Sequence, residues 1–178
     1  GPAGELAFPD FAAWAAERHG TYELGATPKE VRNTYFELAE QLDKEPVGAY
    51  DGDRFRWTTR SGLYFEAQYP YLAQFWQSLE RSDAAGAETA LKKAGLAPGE
   101  RADAATQVPA DNAMSLLMAV FCADVRWPTD VEHYQRAVAH DSKRFPLFGG
   151  MVGNIWPCAA WPYDPIEPPV EIDETAAQ

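Results

Sequence analysis

Between residues 28 and 45, large apolar side chains recur at Val31, Tyr35, Leu38 and Leu42, the spacing of one face of an α-helix. The start of that helix is written out in full: Thr27 as cap, Pro28 at the first helical position, and Glu30 placed to complete a capping box. Pro46 marks its end. Upstream, Phe8, Phe11, Ala12 and Ala15 share a face while Glu17 and Arg18 point to water. This predicts a helix over 8–20 terminated by Gly20. Gly48, Asp51 and Gly52 make 47–53 a turn-rich connection. In 54–69, Phe55 and Trp57 alternate like a strand while Leu63, Tyr64 and Ala67 space like a helix, and the reading taken is a helix from Thr59.

Pro70 opens a further helix with a broad face of Leu72, Phe75, Trp76 and Leu79. Ser82 or Asp83 caps the next, which runs through 91–93 and stops at Gly95. Residues 97–110, rich in Pro, Gly, Asp and Ala, read as a mobile surface loop. Asp111 then caps a helix carrying Met114, Leu117, Met118 and Phe121, which Trp127-Pro128 breaks. Thr129 and Glu132 form a second capping box for a helix to about residue 142, with Val131, Tyr134 and Val138 turned inward. After Phe145-Pro146 the chain turns through Gly149, Gly150 and Gly153. The expected fold class is mostly α.

Composition narrows the function. The 178 residues, 46% of them hydrophobic, suit one globular domain. We divide the chain into a lead-in at 1–7, in which Gly1-Pro2 reads as the remnant of a cleaved tag, a helical domain at 8–162, and a proline- and acid-rich exit segment at 163–178. The formal charge is −12 with no Lys or Arg cluster, which argues against nucleic acid or an anionic membrane surface as partner. Such a field favours a cationic partner or a substrate with a free amine, although most of these charges serve solubility. There is no run of 18 apolar residues and no charged-then-apolar leader, so no membrane segment is expected.

The candidate chemistry is sparse. Cys122 and Cys158, the only two cysteines, each lie beside tryptophan and proline. Either they are two buried free thiols or they form a disulfide; their rigid aromatic flanks favour the bond, which would close a loop of about 36 residues. A C-x-x-C motif and a zinc site are excluded by count and spacing. No G-x-S-x-G elbow is present, since Ser61 in Arg60-Ser61-Gly62 lacks the first glycine. His133 and His140 stand seven apart on one helix, poor spacing for metal ligands, and the glycines around Met151 lack the strand–helix context of a phosphate cradle. No metal and no cofactor are expected. The residues describe an acidic, aromatic-rich helical domain without its own catalytic machinery.

A resemblance runs along most of the chain. Trp14, the run from Gly20 through Thr21, Tyr22, Glu23 and Leu24 to Gly25, Val31 to Leu42 with Pro46, Leu63-Tyr64 and Leu72-Ala73 are its first marks. Cys122-Ala123-Asp124, Trp127-Pro128, Tyr134, Phe145-Pro146-Leu147-Phe148-Gly149 and Pro157-Cys158-Ala159-Ala160-Trp161-Pro162 complete it. Over 8–169 the chain resembles the helical cap, or lid, inserted in secreted bacterial tripeptidyl-aminopeptidase-like α/β-hydrolases, serine peptidases related to prolyl aminopeptidase. In that family the catalytic serine precedes the cap and the Asp and His follow it, so no catalytic residue carries over. The resemblance implies a secreted lid that roofs the active site of its own catalytic domain and favours short peptides with a free N-terminus. Asp124, and more weakly Glu23, are the candidate carboxylates for the substrate amine. Trp127, Trp156 and Trp161 are candidate lining residues. Asp124 has a second reading, as the group that pins the Trp127-Pro128 turn. A lid detached from its catalytic domain should bare a large apolar face, through which it would self-associate. A free-standing acidic module that binds a basic partner should instead show a polar, complete surface.

Overall fold

The fold is set by one aromatic core, and each helix is placed by what it contributes to it. The computed structural model describes residues 3–96 and 112–165, in which nine α-helices and two short 3-10 turns are joined without a β-strand. The helices are α1 (Ala3–Ala16), α2 (His19–Tyr22), α3 (Pro28–Lys44), α4 (Gly52–Gly62), α5 (Tyr69–Glu80), α6 (Ala84–Ala94), α7 (Asn112–Asp124), α8 (Val131–Arg144) and α9 (Gly149–Val152). The protein is therefore mostly α, as the periodicity predicts. The connection at 97–110, the Asp111 cap and the exit segment beyond 165 lie outside the described residues.

Trp76 of α5, fully buried, is the hub of the core. Its ring lies 5.2 Å from Phe11 of α1, 5.7 Å from Tyr35 of α3 and 5.3 Å from Phe55 of α4. The indole N–H, which could not be left unpaired at that depth, donates to Thr59 Oγ1 at 3.0 Å. All four apolar positions of the α3 stripe, Val31, Tyr35, Leu38 and Leu42, are buried. Thr27 Oγ1 accepts from Glu30 N at 3.2 Å, while the Glu30 carboxylate accepts from Ala26 N at 2.7 Å, one residue before the cap. Asp83, of the two candidates, caps α6 by accepting from Gly86 N, and Gly95 closes it in the left-handed conformation.

Four expectations are corrected. The first helix is not 8–20: α1 starts at Ala3 and passes through Pro9, and Gly20 sits inside the separate turn α2. Its early first turn is held because Glu5 Oε1 accepts from Leu147 N at 2.7 Å and Phe148 N at 3.0 Å, a contact 142 residues away that no local pattern shows. The helix expected from Thr59 instead spans Gly52–Gly62, started by Asp51 accepting from Arg54 N at 2.8 Å. Gly52 is required there because a Cβ would lie 2.7 Å from the Ala39 carbonyl oxygen of α3. In α8 the cap is Asp130, which accepts from Glu132 N and His133 N, not Thr129. Val131, expected inside, is exposed: it is the first helical residue after that cap, one turn short of the contact that buries Tyr134.

The C-terminal third is a second layer resting on this core. Leu147 and Phe148 are its buried plugs, and Tyr35 Oη donates to the Leu147 carbonyl at 2.7 Å. Burial pushes the Tyr35 phenol well above its usual range, so it remains a donor. α8 packs on α9 with no room to spare: a Cβ on Gly149 would meet the Asp141 carbonyl oxygen at 2.1 Å. α7 packs chiefly on the Pro157–Ala160 turn, to which the Cys122–Cys158 disulfide joins it.

Candidate functional site

The two cysteine blocks do come together, and the bond between them organises what surrounds it. Both half-cystines are buried, while the helix that carries Cys122 is not. On α7, Met114, Leu116, Leu117, Val120 and Phe121 are all exposed, with Leu116 and Val120 each at 61%, and Val125 just beyond is exposed as well. At 100° per residue these positions sweep about 180° of the helix circumference. An α-helix apolar on so wide an arc belongs in an interior.

Beside the disulfide lies a cleft of about 310 Å³ between the end of α7, α8 and the loop after α9. Trp127 and Trp156, both named from the sequence, form its walls, Tyr134 and Ala137 of α8 line it, and Val152 and Gly153 border it from α9. Trp127 is fixed by its indole N–H, which donates to the Phe121 carbonyl at 3.1 Å. Tyr134, buried, donates its hydroxyl to the Pro128 carbonyl at 2.8 Å, and loss of solvation raises its pKa above the ordinary phenol value. The Trp127-Pro128 turn is thus pinned by these two aromatic donors and not by Asp124. Trp156 meets Trp57 of α4 edge to face at 6.0 Å, which ties the cleft to the core layer.

The other candidates are placed elsewhere. Asp124 is the exposed last residue of α7, and among the described residues its carboxylate has neither a hydrogen bond nor an ion pair. Glu23, in the left-handed conformation after α2, is held by Arg81 at 2.7 Å on the core layer, and so is already neutralised. Trp161 lies outside the cleft, edge to face with Tyr163 at 6.1 Å, and its buried indole nitrogen lacks a partner among the described residues. His133 and Asn154, by contrast, line the cleft. His133 stands next to Tyr134 in the sequence, exposed at the rim of the cleft; Asn154 carried no signal, since the α9 turn that presents it depends on Gly149. His140 pairs with its neighbour Asp141 at 2.8 Å. Among the described residues no group of three His, Cys, Asp or Glu side chains could hold a metal ion, and no helix is long and apolar enough to cross a membrane.

No protein-family model matches the chain. Over 157 residues, 86% of the chain, it is 27% identical to the tripeptidyl aminopeptidase of Streptomyces lividans and, to the same degree, to that of Streptomyces coelicolor. The chain spans 28% of the length of each. It is a distant relative of one part of a tripeptidyl aminopeptidase.

Proposed function

We propose that the chain is the helical lid of a secreted serine hydrolase of the tripeptidyl-aminopeptidase type, covering the active site and admitting short peptides with a free N-terminus. The observation that carries this reading is α7: its broad exposed apolar arc belongs against a further protein surface. A lid set over its own catalytic domain supplies that surface. A free-standing module for a basic partner would have a polar exterior, and this face weighs against it. The match to about a quarter of two longer aminopeptidases supports the same reading. The disulfide suits an oxidising, extracellular setting.

In this arrangement the chain does no chemistry; it sets which substrates reach it. Asp124 lies at the end of α7, beside the face that docking would cover. A carboxylate partly desolvated there binds an α-ammonium strongly, and a blocked terminus would leave the charge unpaired. Two measurements test this. The purified chain should not hydrolyse a tripeptidyl chromogenic amide with a free amine; turnover sensitive to a serine-directed inhibitor would refute the lid. In the longer polypeptide that carries a serine elbow before this segment and an Asp and His after it, Asp124→Asn should raise KM for free-amine tripeptides about 10-fold, the value of a lost charged hydrogen bond. A small ester substrate should be unaffected, and equal effects on both would remove Asp124 from substrate recognition.

A further inference from the structure

The cleft beside the disulfide has a chemistry of its own, distinct from that of Asp124. Its walls are aromatic, and two of their three polar atoms are already spent within the protein, Trp127 Nε1 on Phe121 O and Tyr134 Oη on Pro128 O, which leaves the Trp156 indole N–H. Asn154, at the edge, accepts from Ile155 N at 2.8 Å through its side-chain oxygen. Among the described residues no carboxylate, lysine or arginine lines it, although the chain carries 27 acidic and 15 basic residues. Its opening is kept by two small residues that face each other. Ala137 is opposed by Gly153, where a Cβ would come within 3.2 Å of the Ala137 carbonyl carbon. The volume, about 310 Å³, lies at the lower end of the range for ligand sites and admits one large side chain or a few smaller groups.

We infer that this cleft is a specificity pocket for a single aromatic or large aliphatic side chain of the peptide substrate, a reading that rests on the lid assignment. The selection follows from what the pocket withholds. An aromatic ring can set its edge against the Trp127 or Trp156 face and lose only water. A carboxylate or ammonium side chain would be stripped of water there with no fixed opposite charge to meet it: among the described residues the lining offers only the neutral Trp156 indole and Asn154 amide, and His133 at the rim is the one titratable group besides the committed Tyr134 phenol. The lid would then read a substrate twice, for an amine at Asp124 and for an apolar side chain between the tryptophans.

The test uses the chain by itself, nitrogen-labelled, with its six tryptophan indole signals assigned by substitution. Ala-Ala-Phe amide, added to millimolar concentration, should shift the Trp127 and Trp156 indoles saturably and leave that of the buried Trp76 in place. Ala-Ala-Ala amide and Ala-Ala-Asp amide should bind at least ~10-fold more weakly, the discrimination an apolar pocket gives for missing or polar groups. Ala137→Leu, which fills the floor, should abolish the response while the Trp76 signal certifies the fold; should that variant not fold, the three-peptide comparison decides unaided. Equal shifts by the Asp peptide, or no shift by any, would overturn the pocket and leave the lid assignment standing. Hydrolysis by the isolated chain would do the reverse, removing the lid and leaving the pocket.

Discussion

Arg56 shows how a single side chain joins two helices and makes their union sensitive to pH. From α4 its guanidinium grips the Asp43 carboxylate of α3 with both nitrogens, at 2.9 and 2.5 Å. The Arg56 hydrogen bond holds the Asp43 carboxyl below its usual range, against a smaller opposing effect of burial. The folded chain therefore releases this proton more readily than the unfolded chain. The pair's contribution is whole above the ordinary carboxyl pKa, near 4, and disappears as pH falls through the lower folded value. Because Asp43 is nearly half exposed, screening limits the contribution to about 0.5–1 kcal/mol. Arg56→Ala should lower stability by that amount at pH 7, measured by urea denaturation, and the gap to the unaltered protein should close as the pH is taken below 4. A gap that widened in acid would contradict the assignment of the effect to this pair.

Among the helices, those legible in the sequence are the ones whose stability is local. α3 is announced by Thr27, Pro28 and a four-residue stripe, and α6 by Asp83 and Gly95; their caps and faces are where the residues put them. The first turn of α1 and the start of α4 were not legible, because Glu5 finds its partners at Leu147 and Phe148 and Gly52 is fixed by the approach of α3. Of the candidate site, the tryptophans at 127 and 156 and the cysteine pair were readable as aromatic corners. The role of Glu23 was not, since its partner Arg81 lies 58 residues on. The same division predicts how the protein comes apart. The continuous aromatic core contains no residue of α7 and is closed from the C-terminal third by Leu147 and Phe148. Joint substitution of Cys122 and Cys158 by Ala removes a cross-link worth up to ~4 kcal/mol in the chain-entropy model. The loss should fall unevenly: in hydrogen exchange the α7 amides should lose protection, while those of α3 and α5 keep theirs at low denaturant. Uniform loss through α3 and α5 would mean that the bond supports the core itself.

For the molecule as a whole, the governing asymmetry is between a finished aromatic interior and an unfinished exterior. The chain completes its core without α7, then holds that helix outside by a disulfide and the Trp127 hydrogen bond, its leucines and valines facing water. Burial of such side chains is worth roughly 1.5–3 kcal/mol each, so several at one surface give a strong drive to associate. In isolation the occupant closest to hand is a second copy of the chain, and the net charge of −12 opposes that pairing unless salt screens it. Sedimentation at rising ionic strength should therefore show self-association that strengthens with salt, the opposite of an assembly made by ion pairs. Leu116→Glu with Val120→Lys leaves the net charge unchanged and puts two polar groups in the middle of the α7 face. This double variant should stay monomeric at every salt concentration, with its thermal midpoint unchanged because neither residue belongs to the core. If it associates as the unaltered chain does, the α7 face is not the contact.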